Sequence, residues 1–261
     1  MQKHKFISID LSLGSYGGFI DEIIRLANRD KRSEYICIAN VHMLVETYWD
    51  KKFADAVNRS IITTPDGVPL TWGLKWLYRI RQERVSGMDL LPDLLHIASQ
   101  QSFPVFFYGG TQETLDKTKD HVTQLYSGIP SVGICSPPFR PLTSEEEQEV
   151  ISIINTSGAR IVFVSLGCPK QEKWMISMKD KINSVMIGIG AALPVLTGVQ
   201  KRAPRWMQKN GLEWLFRLIQ EPQRLWKRYL VTNVCFLYLL IKEKIGIFFY
   251  KIGECNRYLR F

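Results

Sequence analysis

Five short apolar segments, separated by amphipathic ones, constrain the fold of this chain more than any other feature. They are EYICIAN (34–40), PVFFYGG (104–110), SVGIC (131–135), ARIVFVSLG (159–167) and SVMIGIG (184–190). Each is almost continuously apolar, as in strands that are buried on both faces. The helical patterns between them cover 42–60, 111–127 and 143–158, and Thr143 with Glu146 predicts a capping box at the start of the last one.

This alternation predicts a doubly wound, largely parallel α/β sheet with helices on both faces. Because the alternation is complete by Gly190, we expect the core of the sheet not to depend on the residues that follow. We therefore expect a catalytic domain at 1–200 and a basic, aromatic, helical appendage at 201–261.

The residues that follow the predicted strands are candidates for a binding site, because open α/β sheets bind ligands at the carboxyl ends of their strands. Glycines in these turns let backbone N–H groups approach a phosphate, although a tight turn alone also favours glycine. The chain has no complete G-x-G-x-x-G and no P-loop lysine. The candidates are Asn40, His42, Gly109, Gly110, Gly167, Gln171, Gly188 and Gly190.

A turn at TPDG places Asp66 between a proline and a glycine. Two interpretations are open at this point. Asp66 caps a helix that starts near Val68, or it is a reactive carboxylate.

The chain has no D-x-D pair, with which many sugar transferases hold a divalent metal on a diphosphate. If the protein binds a nucleotide diphosphate, we expect cations and backbone amides to neutralise it without a metal.

Charge and cysteine usage narrow the classes of partner and compartment. The net charge of +9 favours anionic partners such as nucleic acid, nucleotides, phospholipid or diphosphate-linked substrates. The five cysteines are odd in number and have no C-x-x-C spacing, which favours free thiols in a reducing, cytoplasmic compartment.

Basic and aromatic residues concentrate in GLEWLFRLIQEPQRLWKRYL (211–230). Pro222 predicts the first turn of a new helix, on which Arg224 and Arg228 lie one turn apart on one face. This face is either a solvated surface over a core helix or an interfacial surface that meets an anionic membrane. The apolar run at 229–241 is about 20 Å long as a helix, shorter than a hydrocarbon core of about 30 Å. We therefore expect it to lie on the membrane or on the protein, and not to span.

Several motifs, in order, resemble those of the WecG/TagA/CpsF family of bacterial glycosyltransferases over about 36–230. They are TPDGVPL, RVSGMDLLPDLL, SPPFRPLTSEEEQEVI, SLGCPKQEKWM and the segment from GIGAALPVLTG to LWKRYL. The resemblance implies an inverting enzyme that needs no metal and no cofactor. It would move an N-acetylmannosamine-type sugar, or a hexose, from UDP to a polyprenyl-diphosphate-linked saccharide. The products would feed cell-surface polysaccharide or teichoic acid synthesis at the inner face of the plasma membrane.

The same resemblance implies roles for individual residues. Asp66 corresponds to the family's general base, Arg84 to a phosphate ligand, and Gln171 to a residue that contacts the donor. Asn40 matches the asparagine after the first strand of the sheet. The basic positions of the segment that closes over the site are Arg217, Arg224 and Arg228.

Two departures from the family pattern leave the donor sugar open. Pro194 stands where many members have an aspartate, and Ile38 where threonine is frequent.

Two other classes of protein are also considered. A dinucleotide-dependent oxidoreductase would need the glycine fingerprint that is absent here, and a nucleic-acid-binding module would not place its basic residues beside an apolar tail. We expect no nucleic-acid partner. Whether the chain forms a homo-oligomer is left open by the sequence.

Overall fold

The computed structural model describes the backbone of residues 1–258 and the side chains of residues 1–249. Residues 259–261 of the predicted appendage and the side chain of Cys255 lie outside this part. The strands are β1 (Lys3–Phe6), β2 (Ile9–Ser12), β3 (Glu34–Ala39), β4 (Ile62–Pro65), β5 (Val105–Tyr108), β6 (Val132–Cys135), β7 (Ile161–Val164) and β8 (Val185–Gly188).

The helices alternate with these strands, and a 3-10 turn at Gly190–Ala192 follows β8. They are α1 (Tyr16–Ala27), α2 (Val41–Trp49), α3 (Lys51–Asn58), α4 (Val68–Tyr78), α5 (Gly87–Gln100), α6 (Gln112–Leu125), α7 (Ser144–Thr156), α8 (Lys170–Met178), α9 (Leu193–Leu196), α10 (Arg205–Lys209), α11 (Glu213–Gln220) and α12 (Pro222–Tyr258). The predicted capping box of Thr143 and Glu146 is present at the start of α7. Pro222 begins α12, so the helix start predicted there is confirmed.

Six strands form one sheet in the order β4-β3-β8-β7-β5-β6, and every neighbouring pair is parallel. This confirms the predicted parallel α/β architecture. Strands β1 and β2 form a separate antiparallel hairpin that the sequence analysis did not identify. The hairpin lies against the outer edge of β4, where the Thr63 N–H donates to Ser12 Oγ at 3.0 Å. It thereby shields an exposed strand edge from pairing with other chains.

The sheet has a hydrophobic core on each face. Along β3, Tyr35 and Cys37 pack into one core, and Ile36 and Ile38 pack into the other. The first core is covered by α2, α3, α4, α7, α8 and α12, and the second by α1, α5, α6 and α9. Burial on both faces is the reason why β3, β5, β7 and β8 are apolar along most of their length.

The C-terminal helix α12 contributes to the first core. Phe236 and Leu239 are 5 % and 2 % exposed, and they share a cluster with Phe6, Leu70 and Leu74. The expectation that the core of the sheet is independent of the tail is therefore wrong. It failed because the alternation of strands and helices does not show which later helix covers a face. Among residues 1–258, no helix has both the length and the apolar content needed to cross a membrane.

Candidate active site

A cavity of about 610 Å³ opens at the carboxyl ends of β3, β4, β7 and β8. Strands β3 and β8 are neighbours, but the chain leaves β3 toward one face of the sheet, as α2, and leaves β8 toward the other, as α9. Such a divergence opens a crevice between the two strand ends, which is where open α/β sheets bind ligands. The segments α4, α11 and α12 form the rest of the wall.

The structure brings most of the predicted site residues together in this cavity. Those that line it are Asn40, His42, Asp66, Arg84, Gly167, Gln171, Gly188, Gly190, Arg217, Arg224 and Arg228. Gly109 and Gly110 do not line it, because they follow β5, which β7 separates from β8. Their φ angles of +100° and +93° require glycine for conformational reasons alone. The cavity thus gives no support to their predicted binding role.

Asp66 is the first residue after β4, and its backbone fixes it at the edge of the sheet. Its N–H donates to the carbonyl oxygen of Ala39 at 2.6 Å, which continues the pairing of β3 and β4 by one residue. The N-cap of α4 is Gly67, and no side chain forms a capping hydrogen bond there. The alternative that Asp66 caps this helix is therefore wrong. Its carboxylate faces the cavity instead.

Burial against the cavity wall raises the pKa of Asp66 to about 7. The charges of Arg84 and Arg217 oppose this rise, whereas Glu213 adds to it. A carboxylate with a pKa near the working pH is ionised in a large fraction of molecules and still binds a proton strongly enough to remove it from a hydroxyl group. The electrostatics of the site therefore suit Asp66 to act as a general base.

Arg84 is held between two carboxylates. Its Nη1 donates to Glu213 Oε2 at 2.6 Å, and its Nη2 to Asp89 Oδ2 at 2.9 Å. Arg202 completes the cluster by donating from Nη2 to the other oxygen of Asp89 at 2.6 Å. These ion pairs tie α5 to the segment that leads into α12. They give Arg84 a positioning and electrostatic role beside Asp66, and its predicted role as a phosphate ligand stays a prediction.

Sequence reasoning missed Asp89, Arg202 and Glu213 as members of this site. Asp89 lies within the motif RVSGMD, next to the predicted Arg84, so its spacing offered a signal. The partners Arg202 and Glu213 lie more than a hundred residues away in the chain, and no local pattern links them to Arg84.

Gln171 joins the two turns that follow β7 and β8. Its side-chain oxygen accepts hydrogen bonds from the N–H groups of Gly167 and Gly190, at 3.2 and 3.1 Å. Its Nε2 donates to Glu172 Oε1 at 2.7 Å, and a Cβ at Gly188 would lie only 2.8 Å from this nitrogen. Gln171 thus positions the glycine turns of the cavity, and its predicted contact with the donor stays a prediction.

Asn40, at the start of α2, also forms a structural hydrogen bond and lines the cavity. Its side-chain oxygen caps the helix by accepting from the N–H of Met43 at 3.1 Å, so the amide NH₂ group remains for the cavity that Asn40 lines. Next to it, the pKa of His42 is lowered to about 4, chiefly by burial and in smaller part by the charge of Arg228. His42 is therefore neutral at pH 7, and the positive charge of the cavity comes from its arginines.

The three arginines of the C-terminal segment differ in their partners. Arg224 pairs with Glu221. Within the described part of the chain, no carboxylate lies within salt-bridge distance of Arg217 or Arg228, and Arg228 Nε is buried without a hydrogen-bond partner. Unpaired guanidinium groups at a cavity wall are suited to bind an anion such as a diphosphate. Among the residues with described side chains, no group of three or more His, Cys, Asp or Glu is placed to hold a metal ion.

Comparison with known proteins agrees with this architecture. The model of the family described as "Glycosyl transferase WecG/TagA/CpsF family" matches residues 4–247. A relative from Bacillus subtilis (strain 168) is 28% identical over 255 residues, which cover 97% of both chains. A second, from Bacillus spizizenii, is 27% identical over 231 residues and 88% of both chains. Each is named N-acetylglucosaminyldiphosphoundecaprenol N-acetyl-beta-D-mannosaminyltransferase. On this evidence the chain belongs to the WecG/TagA/CpsF family of glycosyltransferases.

Proposed function

We propose that this enzyme transfers an N-acetylmannosamine-type sugar from a UDP-sugar to a saccharide linked to polyprenyl diphosphate, with inversion at the anomeric carbon. The names of both relatives specify an N-acetylglucosaminyl-diphospho-undecaprenol acceptor and a transferred N-acetyl-β-D-mannosaminyl group. The sequence is similar to theirs over nearly its whole length. Transfer of a hexose, as in other branches of the family, is the alternative that Pro194 leaves open.

The observation that carries this proposal is the placement of Asp66. Its carboxylate, with a pKa of about 7, faces a cavity whose wall also holds the guanidinium groups of Arg217 and Arg228, neither of which forms a salt bridge with a carboxylate of residues 1–249. In the proposed reaction, Asp66 takes the proton of an acceptor hydroxyl group. The hydroxyl oxygen forms a bond to the anomeric carbon while the bond from that carbon to the diphosphate oxygen breaks, and UDP leaves. Attack from the side opposite UDP inverts the configuration.

Cations take the place of a metal in this scheme. The leaving UDP gains negative charge, and preorganised positive groups stabilise such charge strongly in a site that excludes water. This role for Arg217 and Arg228 is supported by their position in the cavity wall, and a role for Arg84 in tuning the base by the effect of its charge, which lowers the pKa of Asp66. We therefore propose that the reaction needs neither a divalent metal nor another cofactor. Full activity in EDTA supports this, whereas loss of activity that Mg²⁺ or Mn²⁺ restores would contradict it.

We further propose that the enzyme works as a peripheral protein at the cytoplasmic face of the membrane, where a polyprenyl-linked acceptor resides. Helix α12 exposes a series of large apolar side chains next to basic ones, although its opposite face is buried. These residues are Trp226, Leu230, Val231, Val234, Leu237, Tyr238, Ile241, Ile245, Phe248 and Phe249. Such a helix is suited to the boundary between lipid headgroups and acyl chains. A homo-oligomer that covers the same face is the alternative, because exposed apolar patches also form protein interfaces.

A transfer assay tests the function. The purified protein is incubated with a panel of UDP-sugars and an N-acetylglucosaminyl-diphospho-polyprenol acceptor, and UDP release is measured with and without acceptor. We expect acceptor-dependent release with UDP-N-acetylmannosamine. Flotation with vesicles that contain phosphatidylglycerol, followed by sedimentation of the unbound protein, separates membrane binding from self-association.

A further inference from the structure

The cavity does not end at Asp66 but continues as a groove between α4 and α12. The residues of α12 that line it change in character along the helix. They begin with Arg224, Arg228 and Tyr229, continue with Thr232 and Asn233, and end with Phe236, Leu237 and Leu240. From Arg228 to Leu240 this wall is about 18 Å long at the rise of an α-helix. The groove therefore passes from cationic, through polar, to fully apolar.

Helix α4 forms the opposite wall with apolar residues. Pro69, Trp72 and Trp76 line the groove at successive turns of this helix. The two tryptophans are 60 % and 49 % exposed, so neither is buried as part of the core. Trp76 is also held in place, because Lys244 Nζ lies 5.0 Å from its ring centroid and donates to its carbonyl oxygen at 2.9 Å.

The floor of the groove is set by a glycine. A Cβ at Gly73 would lie 3.1 Å from Leu240 Cδ2 and 2.5 Å from Phe6 Cζ. Glycine at this position therefore lets α4 lie close to both α12 and the N-terminal hairpin. The two helices remain near each other at the apolar end, where Leu240 and Trp76 line the same cavity. The groove is thus narrow where it is apolar.

We propose that this groove binds the first isoprene units of a polyprenyl diphosphate, with the diphosphate next to Arg224 and the hydrocarbon chain between Trp76 and Leu240. The argument is one of complementary chemistry, because an anionic head followed by a linear hydrocarbon matches the order of cationic, polar and apolar walls. The base Asp66 lies at the cationic end, where the sugar that precedes the diphosphate must react. This inference rests on the proposed function, whose acceptor is a lipid of this class.

Binding measurements without catalysis test the groove. Isothermal titration calorimetry compares farnesyl diphosphate, which has three isoprene units, with inorganic diphosphate. Because burial of hydrocarbon is favourable, we expect the wild-type protein to bind farnesyl diphosphate at least about tenfold more tightly. The variants Trp72→Ala with Trp76→Ala, and separately Leu237→Gln, alter exposed residues on opposite walls of the groove. We expect both to lose this preference while their affinity for inorganic diphosphate is unchanged.

A matched control is Trp206→Ala, because Trp206 is also 60 % exposed but does not line the cavity. It should keep the wild-type preference. Equal affinity of the wild-type protein for the two probes would overturn the proposal, as would a preference that survives in both groove variants. If the tryptophan variant loses only its binding to vesicles of phosphatidylglycerol and phosphatidylcholine, Trp72 and Trp76 anchor the protein to membranes and the groove assignment is wrong.

Failure of the groove and failure of the proposed function give different results. A protein that prefers farnesyl diphosphate but transfers no sugar to any acceptor would support the groove and refute the transferase reaction. A protein that transfers sugar equally well to an acceptor with a farnesyl chain and to one with a methyl group in its place would support the reaction and refute the groove.

Discussion

Replacing Asp66 by asparagine removes a carboxylate and leaves a side chain of nearly the same size and shape. If Asp66 is the general base, kcat should fall by about 10²- to 10⁴-fold, with little change in the affinity for UDP. The wild-type enzyme should show a second signature. Because the pKa of Asp66 is raised to about 7, kcat/KM should fall about tenfold per pH unit below that value and level off above it.

The same shift predicts an effect on stability. A carboxyl whose pKa rises from 3.8 to about 7 on folding favours the folded state below pH 3.8, and this contribution is lost as the pH rises through 7. At about 1.36 kcal/mol per pKa unit, the ionised group costs at most about 4 kcal/mol of folding free energy above pH 7. The Asp66→Asn variant avoids this cost. We expect its unfolding temperature to exceed that of the wild type at pH 8, by a margin that shrinks toward pH 5.

Asp120→Asn is the matched control, because Asp120 is an exposed aspartate on α6, remote from the cavity. It should change neither turnover nor the difference in unfolding temperature between pH 5 and pH 8. Near-normal turnover of the Asp66→Asn protein would refute the assignment of the base. So would a wild-type kcat/KM that is constant between pH 5.5 and 8.

Three further predictions concern the surroundings of the base. Since Glu213 raises the pKa of Asp66, Glu213→Gln should move the acidic limb of the pH profile to lower pH, and an unmoved limb would contradict the electrostatic account. Leu239→Ala should lower the free energy of unfolding in urea by about 2–5 kcal/mol, because it leaves a cavity in the core, and a loss below 1 kcal/mol would show that the tail is not part of that core. Arg217→Ala with Arg228→Ala should weaken UDP binding by about tenfold or more in calorimetry, whereas unchanged affinity would exclude these cations as its ligands.

The class of fold could be predicted from the sequence, but the order of the strands in the sheet could not. Five strands of the sheet were predicted from their almost continuous apolar sequence, which burial on both faces explains for all of them except the partly buried edge strand β6. β4 was missed because ITTP is short and half polar, and its threonines bond inside the core, where Thr64 Oγ1 donates to the Val85 carbonyl oxygen at 3.2 Å. The pairing of β3 with β8 joins segments about 150 residues apart, and nothing in the local sequence records it.

Because the order of the strands could not be predicted from the sequence, only some of the predicted site residues lie at the cavity. Residues after β3, β4, β7 and β8 meet at one cavity, and they include Asn40, Asp66 and Gln171. Gly109 follows β5 with the same local pattern, but β5 lies beyond β7 in the sheet. Asp66 was identified through resemblance to a family, because its turn taken alone favours a helix cap. Packing of the apolar run of α12 on the protein was one of two alternatives that the sequence left open, because apolar residues occur on all sides of this helix and their spacing does not show which face is buried.

Analysis of the reaction product tests the central claim most directly. The enzyme is incubated with UDP-N-acetylmannosamine and an N-acetylglucosaminyl-diphospho-polyprenol in EDTA, and the product is characterised by mass spectrometry and by NMR of the new anomeric centre. The account predicts one added N-acetylhexosamine, a β linkage that inverts the donor's configuration, one UDP released per linkage, and a product that Asp66→Asn does not form at a comparable rate. An α linkage, or no transfer from any UDP-sugar, would contradict it.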